Sequence, residues 1–177
     1  MNPSDNQRIL RADPSQAGEI AALARETFLQ TYGGTSIEED LAGYVDEYFT
    51  EEGIRRELEN QDFQFLTAWV GDVLTGYAKL RRDRQPRGIS ETRCLQLERI
   101  YILKAYQARG IGQQLIDTIR GMASAAGDRI LWLQVWQKNE QALAFYHKAG
   151  FTICDTAAFH LGSKVTQDYI MRSDIYP

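Results

Sequence analysis

The stretch from Leu97 to Gln113 restricts the fold of this chain more than any other. An apolar strand, Leu97-Glu98-Arg99-Ile100-Tyr101-Ile102, runs into a short turn holding Gly110 and Gly112, and an amphipathic helix leaves it. Such a turn aims several backbone N–H groups at an anion held on the helix N-terminus. Residues Gln107, Ala108, Arg109, Gly110, Ile111, Gly112 and Gln113 therefore form a candidate phosphate cradle, with the Arg109 guanidinium beside it. The nucleotide versions of such a turn do not fit. A dinucleotide fingerprint needs a third glycine or an alanine where Leu115 stands, and it belongs near the first strand of its domain. A Walker A loop needs Gly-Lys-Ser/Thr at its end, which is missing.

The strand itself carries an irregularity. Leu95 and Leu97 occupy odd positions, whereas Ile100 and Ile102 occupy even ones. A strand has a side-chain period of two, so this change of phase means either burial on both faces or a bulge near Glu98-Arg99. A bulge there re-aims side chains and frees backbone groups.

The other elements follow from period and punctuation. Gln7 to Arg11 is strand-like. Asp13-Pro14-Ser15-Gln16 is a helix start, with Asp13 capping and Gln16 closing a capping box. Ala17, Ile20, Ala21, Ala24, Thr27 and Phe28 repeat with helical spacing up to Gly33-Gly34. Ser36 starts a second helix whose face carries Leu41, Tyr44, Val45 and Tyr48, and Thr50 caps a short third one with Ile54 and Leu58. Phe63 to Val70 and Val73 to Leu80 are strands joined by the two-residue signal Gly71-Asp72. Arg81 to Ser90 is a basic loop. The helix after Gly112 buries Ile111, Leu115, Ile119, Met122 and Ala126. The nearly continuous apolar run Ile130 to Trp136 is a central strand covered on both faces. Strand, helix and strand make a right-handed βαβ unit, with the cradle at the carboxyl end of its first strand. Asn139 caps a helix that carries Ala142, Phe145 and Tyr146 and closes at Gly150. Phe151 to Cys154 and Gln167 to Arg172 are a final antiparallel pair.

The totals narrow the class. A chain of 177 residues, 44% hydrophobic and 25% charged, has the length and composition of one globular domain over 1–177. No apolar run reaches membrane-spanning length, which excludes a membrane partner of that kind. A net charge of -4 argues against a nucleic-acid surface and suits a cationic substrate. Cys94 and Cys154 have no metal-type spacing, and no other cluster suggests a metal, so a reduced, cytoplasmic protein without a metal is expected. Residues 36–60 hold nine acids against two arginines, interleaved with Tyr44, Tyr48 and Phe49. Such a stretch is either a solvated helical face or an acidic, aromatic wall beside a polycation.

Gln107-Ala108-Arg109-Gly110-Ile111-Gly112 resembles the Q/R-x-x-G-x-G/A pyrophosphate motif of the GCN5-related N-acetyltransferases (GNAT). The run from Ile130 to Phe151, with Asn139, Tyr146 and Gly150-Phe151, matches the same core in order and spacing. Two departures are Lys104, where many members have proline, and Gln107, where arginine is commoner. Leu97 to Ile102, Val135 to Tyr146, Glu26-Thr27-Phe28 and Gln167 to Met171 further resemble the PaiA-type spermidine/spermine N-acetyltransferases within that family.

The resemblance implies an α/β (α+β) fold: a mixed, mostly antiparallel central sheet of six to seven strands, a βαβ acetyl-CoA-binding core and flanking helices. It implies acetyl-CoA as cosubstrate, no metal, and direct attack by a primary amine in a ternary complex. The expected catalytic groups are Tyr146, as the acid that protonates the leaving thiolate, and Glu98, as the drain for the amine proton. Cofactor contacts fall on Ile100, Tyr101 and Ile102, on Gln107 to Gln113, and on Asn139 and Lys148. Substrate contacts fall on Tyr44, Tyr48 and Glu98. The expected partner is a small-molecule amine, most simply spermidine or spermine, bound by a monomer or a homodimer. The alternatives are another amine (an amino acid, a peptide N-terminus or an antibiotic) or a non-catalytic acetyl-CoA-sensing regulator.

Overall fold

The computed structural model describes residues 6–34, 38–161 and 164–176. The strands are β1 (Gln7–Arg11), β2 (Phe63–Val70), β3 (Val73–Arg81), β4 (Cys94–Ile102), β5 (Ile130–Trp136), β6 (Thr152–Leu161) and β7 (Lys164–Asp174). The helices are α1 (Ala17–Tyr32), α2 (Glu38–Tyr48), α3 (Glu51–Glu59), α4 (Ile111–Ala125) and α5 (Glu140–Lys148). Among the described residues no helix is long and apolar enough to cross a membrane.

All seven strands join one sheet in the order β1-β2-β3-β4-β5-β7-β6. Only β4 and β5 run parallel; every other neighbouring pair is antiparallel. The last two strands pair as expected, but both are longer than the hydrophobic runs suggest, and β7 lies inside β6 against β5.

Local chemistry sets the element ends. The Asp13 carboxylate accepts the Ser15 N–H at 2.8 Å, and Gln16 Oε1 accepts the Asp13 N–H at 3.2 Å, closing the capping box ahead of α1. Thr50 caps α3 by accepting the Gly53 N–H at 3.0 Å. The expected start of α2 at Ser36 lies outside the described residues.

The sheet has a core on each face. On one, Leu115, Ile116, Ile119 and Ala123 of α4 pack with Leu95, Leu97, Leu131 and Leu133. On the other, Ile20, Ala24, Leu41, Val45 and Ile54 of α1, α2 and α3 pack over Phe65 and Tyr77. Each fully buried Leu or Ile contributes roughly 1.5–3 kcal/mol. Two expected inner positions face water instead. Ala126 lies beyond the last turn of α4, where Ala123 takes the inner place. Tyr48, the last residue of α2, is 44% exposed.

The change of phase in β4 is a bulge. Lys79 pairs with Arg99 and Leu80 with Leu97, which leaves Glu98 as the extra residue. Leu95, Leu97, Ile100 and Ile102 thereby all belong to the α4 side, while Glu98 and Arg99 both line the opposite side. The bulge also marks a parting of strands. Pairing of β4 with β5 ends at Leu97–Leu133, yet β5 continues along β7 as far as Trp136–Asp168. From Glu98 onward β4 and β5 diverge, and the sheet is open between them.

Candidate active site

On the α4 side of this opening lies the glycine turn. Ala108 (φ 59°) and Gly110 (φ 82°) are both left-handed, and Ala108 is the one non-glycine residue with positive φ among those described. For an alanine that conformation costs roughly 1–2 kcal/mol. Left-handed residues in a turn rotate neighbouring N–H groups into an anion-binding concavity. No side chain caps the N-terminus of α4. Its first intrahelical bond runs from Gln114 N to Gly110 O at 3.0 Å, so the N–H groups before it have no helical acceptor. The turn is exposed from Ala108 to Gly110, and Arg109 lies over the Tyr106 ring at 5.0 Å. Open donors, a helix dipole and a guanidinium fit a pyrophosphate.

The glycines differ in purpose. A Cβ on Gly112 would lie 3.1 Å from Phe145 Cζ and 3.3 Å from Ile102 Cδ1, so this residue lets α4 approach α5 and β4. Gly110 has open space and answers only to its backbone. Gln107 fastens the same junction. Its Nε2 donates to Ile102 O at 3.0 Å, and its Oε1 accepts from Gln141 Nε2 at 3.0 Å, joining the end of β4 to the start of α5.

Backbone alternation sorts the groups at the open edge. Leu103 N donates to Thr75 O at 2.9 Å, and Tyr77 pairs with Tyr101, so Leu103 and Tyr101 turn their backbone groups to β3. Ile100 and Ile102 turn theirs to the open side, where β5 no longer pairs. Tyr101 sends its side chain to the opposite face of the sheet, into a cavity.

That cavity, of about 150 Å³, lies between α1, α2 and the parted strands. Phe28, Tyr32, Tyr44, Trp136 and Phe159 supply its aromatic walls, with Phe28 stacked on Tyr44 at 5.0 Å and Tyr32 tilted against Trp136 at 6.1 Å. Gln96, Glu98, Gln134, Thr166 and Asp168 supply polar groups, and Arg84 and Arg99 supply cations.

Glu98 is held in an ion network. Arg81 donates to its Oε1 at 2.5 Å, and Lys79 Nζ lies 2.5 Å from its Oε2, off the direction of an aligned hydrogen bond. Lys79 also meets Glu57 at 2.5 Å, and Glu57 meets Arg99 at 3.1 Å. Burial works to raise the Glu98 pKa. The charges of Lys79 and Arg99, with the hydrogen bond from Arg81, outweigh it and hold the carboxyl below the ordinary glutamate value.

Four acids of residues 36–60 are occupied with pairing, Glu57 among them. Arg25 takes Asp46, Arg55 takes Glu51, and Arg56 takes Glu52. None of the acidic side chains described in that stretch lines the cavity, although Tyr44 and Phe49 do. Tyr48 lies tilted against Tyr44 at 4.5 Å, outside the lining.

Tyr146 approaches from α5. It is 8% exposed, packed between Phe145 and Phe151, and no described residue takes its hydroxyl. Burial, and secondarily Tyr32, push its pKa above the ordinary tyrosine value, so it remains protonated at neutral pH. Asn139 caps α5 by accepting the Ala142 N–H at 3.1 Å, and its side chain also hydrogen-bonds Tyr32. Lys148 is exposed in the last turn of α5, at the far end of the helix from Asn139.

Tyr32, Gln96, Trp136, Phe159 and Asp168 are site residues that the sequence reading did not single out. Tyr32 ends an ordinary amphipathic helix. The others sit at alternating positions of strands, and only their neighbours in space distinguish them from sheet surface.

A helix N-terminus open to phosphate on one face of a split sheet, and an aromatic, polar cavity on the other, define a transferase that brings a phosphorylated donor and an acceptor together through the split. The chain belongs to the acetyltransferase (GNAT) family, whose model matches residues 22–151. It is 30% identical over 165 residues to an uncharacterized N-acetyltransferase in the pepI 3' region of Lactobacillus delbrueckii subsp. lactis, covering 93% of this chain and 95% of that one. It is 28% identical over 141 residues to the spermidine N(1)-acetyltransferase of Thermoplasma acidophilum, covering 77% and 83%. The crystal structure of the PaiA N-acetyltransferase from Thermoplasma acidophilum in complex with coenzyme A superposes with a TM-score of 0.78 at 26% identity, covering 95% and 98%. The protein is an acetyl-CoA-dependent N-acetyltransferase.

Proposed function

We propose that the acetyl acceptor is a polyamine of the spermidine or spermine type. The observation that carries this reading is the cavity beside the parted strands β4 and β5, where aromatic faces surround carboxylates. Aromatic faces attract ammonium groups by about 0.5–2 kcal/mol each, and carboxylates attract them more. The similarity to a spermidine N(1)-acetyltransferase supports the same acceptor class.

Bound acetyl-CoA supplies an activated acetyl thioester. Its pyrophosphate is assigned to Gln107 through Gln113, with Asn139 along the pantetheine arm and Lys148 as a further cationic contact. The N–H groups of Ile100 and Ile102 stabilise the negative charge that gathers on the carbonyl oxygen. A primary amine is mostly ammonium at neutral pH, a deficit of roughly 4–5 kcal/mol. Glu98 drains that proton through solvent. Its depressed pKa means that it passes the proton on and does not store it. Tyr146 donates a proton to the departing thiolate. Tyr44 and Tyr48 line the approach of the amine chain.

Arg84 favours one second reading. It lines the same cavity, is exposed, and forms no ion pair among the described residues. It suits an acceptor that also carries a carboxylate, such as an amino acid or a peptide N-terminus. Initial rates of acetyl-CoA-dependent thiol release over a panel of polyamines, monoamines, amino acids and a short peptide separate the two. Spermidine and spermine should give the highest kcat/KM. Equal or better turnover of the carboxylate-bearing amines would exchange the readings.

A further inference from the structure

Asp168 is a buried carboxylate with an unusual set of neighbours. It is 6% exposed and lines the cavity from β7. Gln134 Nε2 donates to its Oδ2 at 3.2 Å, and Thr166 Oγ1 donates to its Oδ1 at 3.2 Å. Both donors are neutral, and no ion pair to Asp168 occurs among the described residues. Two other charges in the cavity lining are balanced locally, Glu98 by Lys79 and Arg81, and Arg99 by Glu57, whereas Arg84 forms no ion pair among the described residues. Arg84 stands exposed at the rim.

A buried carboxylate without a counter-charge is costly, and a bound cation removes that cost. Burial raises the Asp168 pKa against the two hydrogen bonds, in keeping with a group that lacks its cation. A second observation points the same way. Gln96, 3% exposed on β4, lines the same cavity and has an enclosed Oε1 with no donor. The lining thus holds a carboxylate and an amide oxygen that each want N–H groups. A protonated amine is rich in donors and carries the missing charge.

We propose that Asp168 seats a protonated nitrogen of the acetyl acceptor, with Gln96 as a further hydrogen-bond acceptor along the same ligand. The assignment rests on the amine-acceptor reading above and adds its anchor. Asp168 lies opposite Trp136 on β5, whose indole also lines the cavity, so a cation there meets both a carboxylate and an aromatic wall. Glu98, already neutralised, is left to its part near the reacting nitrogen. Recognition of the non-reacting nitrogen then falls to a different strand.

The test is Asp168→Asn, measured with spermidine at saturating acetyl-CoA. The expected result is a rise in the spermidine KM of about tenfold or more, as for loss of a charge-assisted hydrogen bond, with kcat within about threefold of wild type. The KM for acetyl-CoA should not change, and it serves as the check on folding. Asp168→Glu, which keeps the charge, should raise the spermidine KM less than Asp168→Asn does. It also provides the test, against wild type, if the asparagine variant does not fold. An unchanged spermidine KM in Asp168→Asn, or a fall in kcat alone, would overturn the assignment. If the wild-type panel favours another amine, the polyamine reading fails on that result alone. Asp168→Asn is then measured on the best protonated acceptor, with the same two outcomes.

Discussion

Lys79 Nζ lies 2.5 Å from Glu98 Oε2 in a lysine side chain that is only 1% exposed. The pair sits at the bulge: Lys79 pairs with Arg99 in the ladder, the extra residue Glu98 shares the face of Gln96 and reaches the lysine, and the bulge brings Arg99 onto that face as well. The strands β4 and β5 part at this same point, where the carboxylate that balances the buried cation stands.

Glu98→Gln leaves Lys79 and Arg81 short of negative charge. Removing one partner of a buried pair costs about 3 kcal/mol. Urea unfolding at neutral pH should show that loss. The pH dependence has a definite sign. Because the native Glu98 pKa is depressed, its contribution is complete above the unfolded value of about 4.3 and is lost as pH falls through the lower native value. The variant should therefore lose less stability than wild type on acidification below about pH 4.3. Its kcat should also fall, because the amine loses its proton drain.

Tyr146→Phe keeps the ring between Phe145 and Phe151 and removes only the hydroxyl. The kcat should fall by about 10²–10³-fold while affinity for coenzyme A, measured by calorimetry, stays within a factor of about two. Undiminished turnover would remove Tyr146 from the proton transfer. A protein that only senses acetyl-CoA would be indifferent to the change.

Gly110→Ala and Gly112→Ala should fail differently. At Gly110 the penalty is backbone strain of roughly 1–2 kcal/mol with no clash, and it acts on the concavity itself. At Gly112 the new Cβ presses on Phe145 and Ile102, costing about 1–3 kcal/mol and displacing α4 from α5. Thermal unfolding and coenzyme A titration on both variants check this. Both should weaken binding, and Gly112→Ala should also disturb Tyr146 through its neighbour Phe145.

Local rules carried much of the fold. The capping box at Asp13, the Gly71-Asp72 hairpin and the phase slip at Glu98 all act over a few residues, and each appears in the structure where its residues stand. The reach of those rules explains what was not legible. Acid counts over residues 36–60 do not say which acids meet arginines, and Glu57 is drawn inward by Lys79 and Arg99 from other strands. The insertion of β7 between β5 and β6 depends on long-range pairing, and it brings Asp168 beside Gln134 and Trp136. Tyr48 has the spacing of an inner residue, but it ends its helix and faces water.

The most direct test of the central claim is a competition in one vessel. Spermidine, a monoamine, an amino acid and a short peptide, at equal concentrations, are given limiting acetyl-CoA and the enzyme. Mass spectrometry of the acetylated products reads the kcat/KM ratios directly. Acetylspermidine should dominate by about tenfold or more over each rival, as expected for a site in which aromatic faces and carboxylates act on the same cation. Equal partition among the amines, or a dominant product from an acceptor without a second cationic nitrogen, would contradict it.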